Sequence, residues 1–89
     1  MPKDKRNQRV VKLSKLYLQI MGMNVTIVKK WLIEIGQPMV NLDETMDDDY
    51  LNALRITQQA NGIGDDGIFG YRTLSLLNQL RTRADDNKA

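Results

Sequence analysis

Apolar residues recur at helical spacing in four stretches of this chain. In the first, Val10, Leu13, Leu16, Tyr17 and Ile20 alternate with Lys12, Lys15 and Gln19, which predicts an amphipathic helix over residues 8–21, stopped near Gly22. The second stripe is Val25, Val28, Leu32 and Ile35, with Asn24 placed as an N-cap and Gly36-Gln37-Pro38 as a stop, giving a helix over 24–36. The third begins at Thr45-Met46-Asp47-Asp48, which has the spacing of a capping box with acids in the first turn, and continues through Tyr50, Leu51, Leu54 and Gln58, predicting 45–61. In the fourth, Thr73, Leu74, Leu77 and Leu80 predict a helix over 71–81. The class is all-α. Residues 1–8 read as a basic flexible lead and 81–89, with no apolar periodicity, as a flexible tail. Trp31 lies off its stripe; it can stack on a sugar or pack against the first helix, and packing is the preferred reading.

Between the third and fourth helices lies a glycine-bearing loop. Gly62 has the place of a left-handed residue just past a helix, with Ile63 as its apolar contact. Asp65-Asp66-Gly67 supplies turn chemistry, and Ile68 and Phe69 are expected to point inward. The spacing Asp43, Met46, Leu51, Leu54 repeats as Asp66, Phe69, Leu74, Leu77. That half-repeat predicts two similar loop-to-helix units packed about one core.

The stretch Ala53–Leu77 resembles the peptidoglycan-binding domain of bacterial and phage cell-wall proteins. Ala53, Leu54, Gln58, Gly62, Ile63, Asp66, Gly67, Gly70, Thr73 and Leu77 match the spacing of that family's pattern. Val25, Val28, Leu32 and Gly36 are similar to its first helix, with Lys29 in place of a usual glutamine. Two further departures are Thr57, where the family has phenylalanine, and Tyr71, where proline is common. The resemblance covers residues 24–80 and implies a three-helix peptidoglycan-binding-like domain, with residues 9–22 an added amphipathic helix. It also implies that Gln58 and Asp66 satisfy the backbone of the Asp66-Gly67 loop, so that Gln58, Gly62, Asp66, Gly67, Gly70 and Thr73 are structural residues.

Charge sharpens this picture. Residues 1–30 hold eight Lys/Arg and one acid, whereas residues 31–80 hold two Arg and eight acids. Such opposed halves suggest a partner for the basic arm or a contact between subunits. The preferred reading of the first helix is packing on the domain or a neighbouring chain, through Leu13, Tyr17 and Ile20. Nucleic acid is the weaker partner: Tyr17 is the one aromatic residue in the arm, too few for a stacking platform. No segment approaches the about 20 apolar residues of a membrane span. The N-terminus lacks the unbroken apolar run of a secretory signal, so with Met1 as the native start the expected setting is a virion or the cytoplasm before release, with action at the bacterial envelope.

Candidate chemistry is limited by the absence of cysteine and histidine. The acidic cluster Asp43, Glu44, Asp47, Asp48, Asp49 lacks the alternating ligand spacing of a calcium loop, so capping is preferred and no metal or cofactor is expected. Asp65 and Asp66 are adjacent in a tight turn, unlike the two carboxyls about 5–9 Å apart that glycoside hydrolysis needs. The expectation is therefore a non-catalytic peptidoglycan-recognition module, with Asn61, Tyr71, Arg72 and Asn78 as ligand candidates. The alternative is a structural or assembly protein, for example a virion component, that uses the fold for protein contacts.

Overall fold

The computed structural model describes residues 5–64 and 66–88. Four helices follow one another: α1 (Lys5–Ile20), α2 (Val25–Glu34), α3 (Asp48–Ala60) and α4 (Tyr71–Lys88), with no strand among the described residues. The all-α class is as expected, and each expected helix has a counterpart. Both terminal helices are longer than their apolar stripes. Residues 5–8, expected in a flexible lead, belong to α1, and α4 continues to Lys88 through the expected tail. No glycine or proline interrupts either extension, and such breakers are what end helices most sharply. Arg81 also fastens α4 to α2, with its guanidinium 4.2 Å from the centre of the Trp31 ring and its Nε 3.4 Å from Glu34. Arg81 therefore stacks on Trp31, which also packs against the core that Val10 and Leu18 of the first helix join.

Local chemistry sets the helix ends. Asn24 caps α2 by accepting the Ile27 N–H at 2.9 Å. Asp47, not Thr45, caps α3, accepting the Tyr50 N–H at 3.1 Å, while the Thr45 N–H is donated to Asp43. Three helices end alike: the Met23, Gln37 and Ile63 N–H groups reach back to the Leu18, Leu32 and Gln58 carbonyls, each just after a left-handed glycine.

The core joins Val10 and Leu18 of α1 to Val28, Leu32, Tyr50, Leu51, Leu54, Phe69 and Leu77. The inward face of α1 differs from the hydrophobic reading. Val10, Ser14 and Leu18 are buried, whereas Leu13, Leu16 and Ile20 face outward. Tyr17, expected on a partner-facing surface, is half-buried and lies 6.1 Å from Phe69, centre to centre. The reason is Ser14, whose fully buried Oγ accepts the Phe69 N–H at 2.8 Å. A buried loop N–H needs a partner, and this polar residue on the inner face shifts the buried stripe away from the most hydrophobic one.

The half-repeat is visible in the hydrogen bonds. Asp43 Oδ1 accepts the Thr45 N–H, and Asp66 Oδ1 accepts the Ile68 N–H. The Leu51 N–H donates to the Asp47 carbonyl as the Leu74 N–H donates to Gly70. Met46 and Phe69 both pack on the core. Each unit is held by nitrogen from a preceding helix. In the first, the fully buried Lys29 donates to Asp43 at 2.9 Å and lies 3.5 Å from Asp47. In the second, the Gln58 amide donates to Thr73 Oγ1 at 2.9 Å, the Ile68 carbonyl at 3.1 Å and Asp66 at 3.4 Å, and accepts the Gly67 N–H at 2.9 Å. Gly67 itself has φ +78°, and a Cβ there would lie 2.8 Å from the Arg55 side chain. Gly70 needs neither a positive φ nor a close approach.

Replacing Gln58 with leucine would leave the buried Gly67 N–H without a partner and the Thr73 hydroxyl with only its bond to the Ile68 carbonyl. At roughly 1–3 kcal/mol per orphaned group, the expected loss is about 2 kcal/mol. Urea unfolding would measure it against the exposed control Gln59→Leu, expected within about 0.5 kcal/mol of the parent. Equal midpoints for the two variants would contradict the role given to Gln58.

The Lys29 clamp gives a pH dependence. The Lys29 ammonium first, and then the Thr45 N–H, hold the Asp43 carboxyl below its ordinary value of 3.8. A lowered folded value means that this contribution is present above 3.8 and lost as pH falls through the folded value. Denaturant midpoints measured downward from pH 5 should fall less steeply for Asp43→Asn than for the parent. Identical slopes would contradict the clamp.

Candidate functional site

The end of α3, the following loop and the start of α4 converge on one surface. Asn61 is the C-cap of α3, and its Nδ2 donates to the Thr57 carbonyl at 2.9 Å. That bond fixes the amide at the mouth of a groove of about 410 Å³. Tyr71, the first residue of α4, is 73% exposed, and Arg72 beside it is exposed as well. Both side chains line the groove, with Ile63 and Leu76 as apolar lining. Tyr71, Arg72 and Ile63 also line a second hollow of about 370 Å³, which reaches Gln58, Asp66, Ile68 and Thr73.

Three of the four ligand candidates therefore meet in one place. Asn78 does not. Its Oδ1 accepts from Arg81 Nη1 at 3.3 Å and its carbonyl accepts the Thr82 hydroxyl, so it belongs to the α4 surface turned toward Trp31. Sequence reasoning missed Ser75, Gln79 and Arg83, which complete the groove. Their signal is the spacing 72, 75, 76, 79, 83, one face of a continuous helix. It was hidden because residues 81–89 read as a tail. Once α4 runs through Arg83, a second guanidinium joins the first.

The described lining of the larger groove carries two guanidiniums, an amide at Asn61 and another at Gln79, a hydroxyl at Ser75 and the exposed tyrosine, and no carboxylate. Such a surface favours anionic, hydrogen-bonding ligands: guanidinium pairs with carboxylate in a planar fork, and a tyrosine ring offers a flat apolar face. Asp66 is occupied in the loop by the Ile68 N–H and the Gln58 amide. Asp65 lies outside the described residues. Glu44 is likewise engaged, accepting the Val25 N–H and the Thr26 hydroxyl at 3.2 and 2.8 Å. No group of acidic, histidine or cysteine side chains among the described residues is arranged to hold a metal ion. No described helix is long and apolar enough to cross a membrane.

The Gln58, Gly67 and Thr73 positions are buried fold-makers beneath this surface, with Gly62 in the turn that leads to it. Thr57 is buried too, and its hydroxyl donates to the Ala53 carbonyl at 2.8 Å. That bond to the helix backbone satisfies a polar side chain on the buried face of α3. Comparison of the chain with protein-family models, curated proteins and solved structures gives no match.

Proposed function

We propose that this chain is a non-catalytic recognition module for bacterial peptidoglycan, acting through the groove between the end of α3 and α4. The observation that carries the reading is the convergence of Asn61, Tyr71 and Arg72 with Arg83 in a groove whose described lining holds no carboxylate. Peptidoglycan offers the matching chemistry: stem-peptide carboxylates for the two guanidiniums, and sugar rings for the face of Tyr71. The resemblance of residues 24–80 to the peptidoglycan-binding family supports the same reading. So does the network, built on the best-matched residues, that joins the buried Gln58, Gly67 and Thr73 to the exposed Asp66. In this reading the motif residues build the loop, and the exposed residues on either side of it bind. A virion or envelope complex is the proposed setting.

Pelleting with purified sacculi tests the reading. The parent chain should sediment with the wall at moderate salt. Arg72→Ala and Arg83→Ala should each weaken retention about tenfold, the equivalent of roughly 1.4 kcal/mol, as for loss of one charge-assisted hydrogen bond. Tyr71→Ala should weaken it without lowering the melting temperature, since this side chain is 73% exposed. A folded chain that stays in the supernatant, or pellets equally well without either arginine, would overturn the proposal.

A further inference from the structure

α1 keeps an apolar row outside the core. Leu13, Leu16 and Ile20 are 41%, 49% and 79% exposed, although Val10, Ser14 and Leu18 bury the opposite side of the same helix. The row steps by three and then by four residues, which places all three side chains on one narrow line along the helix. One flank of the row is closed by the domain itself, because the neighbouring Tyr17 packs on Phe69. The other carries Lys12, while Arg9, four residues before Leu13, extends the row itself toward the start of α1; both cations are exposed, and neither makes an ion pair among the described residues.

We propose that this row is a docking seam for an acidic amphipathic helix of a partner protein. The shape of the row selects a helix. A three-then-four repeat one residue wide is the pattern that receives the knobs of a facing helix, whereas a helix lying on a bilayer presents a broad apolar face. Charge selects the partner's sign. Acids beside the partner's apolar residues would meet Arg9 and Lys12, while a second copy of α1 would bring the same cations against each other. The seam shares no residue with the α3–α4 groove, so this inference stands independently of the wall-binding proposal.

The full chain can be titrated, by fluorescence anisotropy, with two labelled synthetic helices. Both carry leucine at every a and d position; one has glutamate at the flanking positions and the other lysine. The glutamate helix should bind at least tenfold more tightly than the lysine helix. Leu16→Glu should abolish that binding, and Arg9→Glu with Lys12→Glu should reverse the preference. These side chains are exposed, so each variant should keep the parent's circular-dichroism melting curve.

Equal binding of the two helices, or binding of neither, would overturn the proposal. So would sedimentation equilibrium showing a homodimer that Leu16→Glu dissociates, which would assign the seam to a second copy. Binding to anionic phospholipid vesicles that Leu16→Glu removes would assign it to a membrane.

Discussion

A single buried amide holds the second half of this structure in place. Gln58 leaves neither end of its side chain unused: the oxygen takes the Gly67 N–H, and the nitrogen is shared among Thr73, Ile68 and Asp66. Phe69 anchors the loop in the core, but the path of the backbone around it depends on where the loop's hydrogen bonds go. Here the Gly67 N–H and the Ile68 carbonyl go to the Gln58 side chain projecting from α3, while the Ile68 N–H goes to Asp66 and the Phe69 N–H to Ser14. Because Thr73 lies in the first turn of α4, the same amide sets that helix's start relative to the end of α3. Asn61, Tyr71 and Arg72 are then held around one groove by residues that lie outside its lining.

The first half solves the same problem with a charge. Lys29 is completely buried yet donates to Asp43, whose side chain is 57% exposed. Its ammonium is thus screened from water on its own side while its counter-ion stays hydrated. The repeat of loop geometry across Asp43–Leu51 and Asp66–Leu74 shows that an amide and an ammonium can serve the same architectural purpose. α1 joins the second unit by a third device, the Ser14 hydroxyl on the Phe69 N–H. That bond spans 55 residues of sequence, and it decides which side of α1 is inside. The apolar row left outside follows directly from it.

Much of the architecture could be read from the sequence because its signals are local. Asn24 before an apolar stripe, the glycines after Leu18, Leu32 and Gln58, and the spacing of Leu51, Leu54 and Leu77 each report on their own turn of chain. Long-range partners were less visible. The buried place of Ser14 depends on Phe69, and the buried place of Lys29 on Asp43. Hydrophobicity alone ranks both as surface residues. The groove was legible in part: Asn61, Tyr71 and Arg72 flank a recognisable loop, whereas Arg83 enters only when α4 continues past its apolar stripe. Asn78 shows the converse error, since being polar and on the correct helix does not place a residue on the correct face.

The central structural claim is that loop residues 66–70 are part of the cooperative core through Gln58 and Ser14. Native-state hydrogen exchange of individual amides tests it most directly, because exchange reports the free energy at which each hydrogen bond opens. The Gly67 and Phe69 amides should exchange only through global unfolding, with the same protection as a core amide such as Leu54. If they exchange as readily as the exposed Gly64 amide, the loop opens independently of the core. Gln58 would then decorate the site without holding it.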